Sequence, residues 1–487
     1  MKKILGVIIA AGFAHRLLFL GKRQLWTDEL MQALISRASS VRDMLEGMRA
    51  GQAVPAPLDY FIQKGFVLLL GEATWVLRLH AAVFATLSIW FFFRIARHLF
   101  GVRTALYSTF LFTFFPLHYH YSQEGRPYAL FLCLTLVSYD LLFRKITGKQ
   151  GRWSDWALIG LASILLLYQS YLGFLVLGSQ VLGLLLTVRN ARGSGTAEGA
   201  VPHGGTVADM VRARRSQVAL FSLVVLIAVA AFVPWIQFSW SKPLVAQPSE
   251  LLDIKLPLRI IKELGDGSYP ASALILAGVA AGVLGLKRHG RKRTLTWLLA
   301  WALPSIPAVW MLAYWSGYFF SIRHVLHATP ALVLIAGYGL SYVGERMTML
   351  DRLPYQLSAP AIAYAALLCS MSVWIGAAHW KKEPVDWSGT ARMLAEQARP
   401  GDAISMPKVY RLLEYFYPRL GTHRASDLDP GLGLLGQGEI RRRIVVCFDG
   451  LTPDPCEGFR GPVGQDQAWE KRTTRGFSIF LRESPAR

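Results

Sequence analysis

Apolar runs long enough to cross a membrane recur along the whole chain, and no other feature restricts its fold so strongly. A bilayer core of about 30 Å takes roughly 20 apolar residues as a helix, with about 17 as the lower limit. Such runs start at 4–20 and 79–93. They continue at 105–117, 128–143, 156–168, 172–188 and 218–236, then at 271–286, 295–314, 325–343 and 359–375. That makes about eleven candidate spans, several of them short as bounded here. The composition agrees. Of 487 residues, 53% are hydrophobic and 17% charged, against about 25% charged in an ordinary soluble protein. This balance argues against a soluble enzyme and against a disordered chain.

The formal charge is +21 and the pI near 10, which could suggest nucleic acid. The basic residues, however, fall in short clusters between apolar runs, so the partner they imply is a membrane and not a nucleic acid. Their placement also decides a twelfth apolar stretch, 57–70, which is short and carries Asp59, Gln63 and Lys64. If it lies on the membrane surface, every basic cluster falls on one side. These clusters are Lys2-Lys3, Arg94-Arg97-Arg103, Arg144-Lys145-Lys149-Arg152, the 189–215 loop, Lys287 to Arg293, and Arg346-Arg352. That side is cytoplasmic by the positive-inside rule. If 57–70 crosses, all later clusters move outside. The stretch is therefore read as an interfacial helix.

This topology predicts a transmembrane domain over 1–378, with a long first outer loop at about 21–78. Further outer pieces are 122–128, 237–270 and the short turn before Arg323. A more polar part, 379–487, ends outside. There 388–398 reads as a helix, and 403–406, 443–448 and 476–481 read as strands. A small C-terminal α/β domain is expected. No cleavable signal peptide is evident, so the first run is expected to be retained. The Gly-, Ala- and Thr-rich loop 190–208 reads as a flexible linker. Cys133 and Cys369 fall in spans and read as small buried apolar residues. Cys447 and Cys456 fall in the outer domain, where a disulfide can form.

Three groups of residues could carry chemistry. Leu25-Trp26-Thr27-Asp28-Glu29 follows the first span closely. A carboxylate there could serve as a general base at the membrane surface, or Thr27 or Asp28 could simply cap a helix running to Ile35. The two roles are compatible. His118-Tyr119-His120-Tyr121-Ser122-Gln123-Glu124-Gly125-Arg126-Pro127-Tyr128 sits at the outer end of the third span. Arg126 suits a phosphate, or a Glu124–Arg126 or Asp28–Arg126 pair could tie loops together. His118 and His120 could ligate a metal, but histidines at such places are more often hydrogen-bonded. Tyr318-Phe319-Phe320-Ser321-Ile322-Arg323-His324 enters the tenth span. There Arg323 could meet a phosphate or snorkel. His15 and Arg16 are polar within the first span, where Arg16 is near enough to the outer end to snorkel.

Together these pieces resemble the GT-C class of bacterial membrane glycosyltransferases, and within it glycosyltransferase family 39. That family includes protein O-mannosyltransferases and the aminoarabinose transferases of lipid A. The resemblance runs through Trp26-Thr27-Asp28-Glu29, Pro55-Ala56-Pro57-Leu58-Asp59-Tyr60, Leu77-Arg78-Leu79-His80 and Ala96-Arg97-His98-Leu99-Phe100-Gly101. It is most specific at Ser122 to Leu130. Arg323-His324 stands where the family often has Arg-Tyr, and Asp386-Trp387 matches a recurrent start of the outer domain. The likeness is close over about the first 145 residues and mainly topological from there to Arg323. One departure is Val54 before Pro55-Ala56-Pro57, where relatives often carry His or Lys before Pro-Pro-Leu.

The resemblance implies a polytopic α-helical GT-C fold with juxtamembrane helices in the first outer loop. It also implies an inverting transfer of a sugar from a polyprenyl phosphate to a hydroxyl on a glycan, lipid or protein. The expected location is the outer face of the bacterial cytoplasmic membrane. Asp28 matches the catalytic Asp. Glu29, Glu124, Arg126, Tyr128, Lys64, Arg323 and His324 are the expected substrate-binding residues, with Arg126, Arg323 and Lys64 for the phosphate. A phosphate leaving group needs positive charge and little protonation, so one carboxylate base is enough, whereas a glycosidase needs two. No cofactor is expected. A divalent metal, used by oligosaccharyltransferases of the same class, has no clear ligand set here. A glycan polymerase or ligase and a transporter or flippase are the competing readings. A transporter would place its ionisable residues near the midplane, whereas here they gather at one rim.

Overall fold

Among the described residues, five helical stretches are long and apolar enough to cross a bilayer: Thr74–Phe100, Arg215–Ser239, Tyr269–Arg288, Lys292–Leu312 and Ile322–Glu345. With the other apolar helices around them, they make a polytopic α-helical membrane protein, as the sequence predicts. The computed structural model describes residues 2–50, 55–147, 153–193, 207–240, 256–316, 321–346, 359–381, 385–400, 402–406, 410–417, 419–420, 442–448, 470–475 and 477–483. Val54, Tyr318 to Phe320, Cys456 and most of the 190–208 loop lie outside the described residues. The chain divides into two compact units. One is Met1–Leu20 with Ser39–Ala378, and the other is Gly21–Ala38 with His379–Arg487.

In the first unit, Thr74–Phe100 packs against both Tyr128–Thr147 and Val102–Thr113. It ends at Gly101, whose φ of 85° is a left-handed conformation suited to glycine. Arg97 and His98 in its last turn suit the negative end of the helix dipole. Tyr269–Arg288 and Thr329–Arg346 form another close pair. Gly278 and Gly282 lie four residues apart, on one helix face. A Cβ on Gly282 would collide with the Ile335 carbonyl. Small residues bring the two backbones together, as is common where helices meet in lipid.

The 57–70 stretch forms the helix Leu58–Leu70, 13 residues long. At 1.5 Å per residue it reaches about 20 Å, too short for a bilayer core of about 30 Å. Its Asp59 and Gln63 are buried against the bundle, whereas Leu68 and Leu69 are 75% and 83% exposed. Its polar Asp59 and Gln63 thus turn inward and its leucines outward.

Arg16 corrects an expectation. It does not snorkel but is completely buried. Its Nη1 donates to Gly12 O at 2.8 Å, and its Nη2 donates to Thr113 O at 3.0 Å. Those contacts fold the guanidinium back along the helix and across to Val102–Thr113, where backbone carbonyls replace water as acceptors.

The second unit holds the helices Thr27–Ser36, Trp387–Gln397 and Tyr410–Phe416 with a four-stranded sheet. The strands are β1 (Asp402–Ser405), β2 (Arg442–Phe448), β3 (Glu470–Thr474) and β4 (Phe477–Glu483), in the order β1-β2-β4-β3. β1 and β2 are parallel with Ile404 opposite Ile444, and β4 runs antiparallel to β2 and β3. Arg442 Nη2 donates to Asp402 Oδ2 at 2.7 Å, joining the strand starts. Trp387 is fully buried and meets Phe477 edge-on at 4.8 Å. Cys447 is disulfide-bonded, and Cys133 and Cys369 are free thiols. Three strands match the expected segments to within a few residues. β3 was not expected, because Glu470-Lys471-Arg472-Thr473-Thr474 is polar on both faces and lies at the sheet edge.

Candidate functional site

The short helix Pro116–Ser122 begins with proline at its first turn and ends at Gln123. Gln123 Nε2 donates to Arg16 O at 3.1 Å and Leu18 O at 2.8 Å, which fixes this corner to the end of the first helix. His118 faces inward. Its Nδ1 lies 3.0 Å from Arg16 Nη2 and its Nε2 lies 2.9 Å from Ser88 Oγ. His15 stacks on Tyr119 with ring centres 3.9 Å apart. The two polar residues of the first span are therefore absorbed into packing with this corner.

His120 points elsewhere and stands between two carboxylates. Its Nε2 is 3.1 Å from Glu124 Oε1 and its Nδ1 is 3.2 Å from Asp266 Oδ1. Burial of the ring lowers its pKa, but the Asp266 charge and hydrogen bonds to Asp266 and Glu124 outweigh this and raise it to about 10. His120 is thus an imidazolium at neutral pH. Asp266 belongs to the turn after Leu256–Leu264. Its φ of 53° is left-handed, a conformation Asp tolerates better than most residues. Asp266 N donates to Glu263 O at 2.9 Å and Gly267 N donates to Lys262 O at 3.0 Å, closing the turn. Glu263 Oε2 in turn accepts from Ile322 N at 3.2 Å, at the start of the 3-10 helix Ile322–Ala328.

That 3-10 helix carries Arg323 and His324. His324 Nδ1 accepts from Ser321 N at 3.3 Å and so caps the turn. Arg323 is half-buried, and its charge reaches the Tyr121 phenol, whose pKa burial and the nearby carboxylates push well upward. The Tyr121 ring meets His120 and Tyr128, each at 4.9 Å. Glu124 and Tyr128, from the same motif, and Arg323, about 200 residues further on, are therefore gathered around His120 and Tyr121.

Arg126 is presented by a second set of contacts. It is half-buried in a turn whose two flanking carbonyls are held from behind. Gln63 Nε2 donates to Gly125 O at 3.4 Å and to Leu77 O at 2.9 Å. Gln169 Nε2 donates to Pro127 O at 2.8 Å and to Asp59 Oδ1 at 3.3 Å. The other Asp59 oxygen lies 3.3 Å from His80 Nε2. Gly125 is needed here, because a Cβ would stand 2.8 Å from Leu77 O. Lys64, one residue beyond Gln63, is half-buried on the same short helix.

In the second unit, Asp28 and Glu29 open the helix Thr27–Ser36. Its N-cap is Trp26, and not Thr27 or Asp28 as the sequence suggested. Glu29, only 1% exposed, reaches back to accept from Trp26 N at 3.3 Å and approaches Arg23 Nη2 at 4.0 Å. Three residues separate cap and carboxylate, as in a capping box. Asp28 beside it is half-buried. Gln24 Nε2 donates to Asp386 Oδ1 at 3.2 Å, and that same oxygen accepts from Gly389 N at 2.8 Å to cap Trp387–Gln397. Asp386 thus acts within the packing of this unit.

Sequence reasoning weighed His120 as a metal ligand or, more often for such a place, a hydrogen-bonded histidine, and the structure has it hydrogen-bonded; it missed Asp266, Asp59, Gln63 and Gln169 as supporting groups. The signal for Asp266 was present: an acid between two glycines, Gly265 and Gly267, in a polar turn between helices. Among the described residues no group of three or more His, Cys, Asp or Glu side chains is arranged to hold a metal ion.

Residues 54–201 match the family model of dolichyl-phosphate-mannose-protein mannosyltransferases. No curated protein matches the sequence. The structure is similar to ArnT from Cupriavidus metallidurans bound to undecaprenyl phosphate, with a TM-score of 0.63 at 12% identity over 98% of each chain. Against the apo state of that protein the TM-score is 0.64 at 11% identity, covering 99% of this chain and 98% of the other. Archaeal oligosaccharyltransferase AglB from Archaeoglobus fulgidus, in complex with an inhibitory peptide and a dolichol-phosphate, gives 0.54 at 12% identity. That match covers 91% of this chain and 69% of AglB. The chain therefore has the fold of the GT-C membrane glycosyltransferases. Within that fold, its segment 54–201 carries the mannosyltransferase family pattern.

Proposed function

We propose that this protein transfers a sugar from a polyprenyl-phosphate donor to a hydroxyl acceptor at the outer face of a bacterial cytoplasmic membrane. The observation that carries the reading is the likeness over 98% of both chains to a fold that holds undecaprenyl phosphate in its relative. The residues present suit that chemistry. Asp28 takes the proton of the acceptor hydroxyl, the acceptor oxygen bonds to the anomeric carbon, and the bond from that carbon to the phosphate oxygen breaks. The sugar inverts in the process. The departing phosphate keeps the bonding electrons, so it needs cations more than a proton donor. Arg126, Arg323 and Lys64 are assigned to it, since fixed cations aimed at a developing anion are a strong electrostatic device. Glu124, Tyr128 and His324 are assigned to substrate binding. Glu29 orients the Asp28 turn.

The test is consumption of polyprenyl-phosphate sugars by purified protein reconstituted with bacterial lipid extract, read by mass spectrometry. Wild type should consume such a lipid and a folded Asp28→Asn variant should not. The product mass then identifies the sugar and the kind of acceptor. If candidate glycan, lipid and protein acceptors all leave the donor intact with wild type, the reading fails.

A further inference from the structure

We infer that His120 is a positioning residue for this transfer: it braces the 263–267 turn, and through Glu263 that turn fixes the helical turn carrying Arg323. The inference rests on the functional reading above and deepens it. Three segments far apart in sequence meet at this brace. The imidazole joins Glu124 of its own corner to Asp266 at 3.1 and 3.2 Å. The turn holding Asp266 is tied internally by the Asp266 N to Glu263 O and Gly267 N to Lys262 O bonds, so its parts move together. Ser272 Oγ, in the helix after the turn, donates to Ile261 O in the helix before it, so the turn's two ends are tied together. The Glu263 carboxylate then holds Ile322 N, whose neighbour is Arg323.

Charge explains why a histidine stands at the junction. Two carboxylates facing one buried point would repel each other, and a cation between them turns the repulsion into attraction on both sides. A neutral amide could keep a hydrogen bond to one carboxylate but would supply no charge between the two. The Glu263 carboxylate thus holds the backbone beside Arg323 through Ile322 N. An arginine on an unbraced turn would have to be ordered by each incoming donor. Preorganisation of such a group is what makes an electrostatic contribution effective, and misplacement of about 1 Å can cost about 100-fold in rate.

The experiment compares wild type, His120→Gln, His120→Lys, Asp266→Asn and the His120→Gln/Asp266→Asn double variant, each purified as the full chain. Two readouts are taken. Amide hydrogen exchange should rise at 263–267 and at 321–328 in His120→Gln, although 321–328 does not touch His120 in sequence. Donor turnover should fall about 10- to 100-fold in His120→Gln. His120→Lys should recover part of the loss, because it restores a cation between the carboxylates. The double variant should be no worse than the worse single one, since both break one brace. Unchanged exchange at 321–328 in folded His120→Gln overturns the inference whatever the turnover. So do strictly additive losses, or a His120→Lys variant as impaired as His120→Gln. A wild type that binds and turns over no polyprenyl-phosphate sugar overturns the functional reading instead, and the exchange data then decide the brace separately.

Discussion

The side-chain amide of Gln169 donates to the Pro127 carbonyl at 2.8 Å, directly behind the turn that presents Arg126. The same amide reaches Asp59 Oδ1 at 3.3 Å. One buried group thus ties the short Leu58–Leu70 helix to the most specific motif of the sequence. Gln169→Leu keeps the size but removes both donor bonds. It leaves a carbonyl and a carboxylate under-satisfied, which costs about 1–3 kcal/mol for each buried group. The expected result is a lower melting temperature together with a raised donor KM, because the Arg126 turn loses its backing. Thermal unfolding in detergent and donor-dependence kinetics check the two parts separately. A lower melting temperature with an unchanged donor KM would show that Gln169 serves stability only.

Close packing of Tyr269–Arg288 on Thr329–Arg346 depends on a missing side chain. Gly282→Ala would drive a methyl into the Ile335 carbonyl, and overpacking of this kind costs about 1–3 kcal/mol. Gly6→Ala is the matched control. Nothing lies within 4 Å of its Cβ position, and alanine favours a helix by about 1 kcal/mol over glycine. Opposite shifts in melting temperature are expected from these two chemically identical changes. Equal shifts would mean that the helix pair separates freely.

How far the sequence was legible follows from what kind of signal each part leaves. The polytopic helical character was legible because long apolar runs leave a signal no soluble element matches, and five such stretches are found among the described residues. For 57–70 the charges of other loops argued against a crossing, and the helix there, at 13 residues, is too short for one. Local patterns gave the first strand and the helix after Asp386. Two-sided polarity hid β3, which is held by its hairpin partner and not by its own hydrophobic face. Asp28 in the second unit and Glu124, Arg126 and Arg323 in the first stood out as charged residues beside apolar runs. What supports them did not. His120 to Asp266 and Gln169 to Pro127 are contacts between distant segments, and no spacing rule in one chain reports them. Arg16 was misread for the same reason: its acceptors, Thr113 O among them, lie on another helix.

Adjacent acids in one helical turn should behave differently. Glu29 is buried and accepts from Trp26 N, so Glu29→Ala leaves that donor unsatisfied at a cost of about 1–3 kcal/mol. Asp28→Asn keeps the fold and removes the proton acceptor. The expectation is a stable, inactive Asp28→Asn and a less stable Glu29→Ala with reduced but measurable turnover. Circular dichroism melts paired with donor consumption distinguish them. A fully active Asp28→Asn would remove Asp28 from the mechanism.

His120 also predicts how stability responds to pH. Its pKa is raised in the fold to about 10 from the ordinary 6.5. Between those values the folded protein holds a proton that the unfolded chain has lost. Stability from this group is therefore complete below about pH 6.5 and is lost as pH rises toward about 10. The groups facing it, Glu124, Asp266 and Tyr121, do not reverse that sign. The Tyr121 phenol is pushed well above its ordinary value by burial and by the nearby Glu124. Wild type should lose stability between pH 7 and pH 9.5 more steeply than His120→Gln, whose side chain binds no proton. Melting temperatures at the two pH values, taken for both proteins in the same detergent, give the comparison. Parallel losses would mean that the imidazole is neutral in the fold and that no cation joins Glu124 to Asp266.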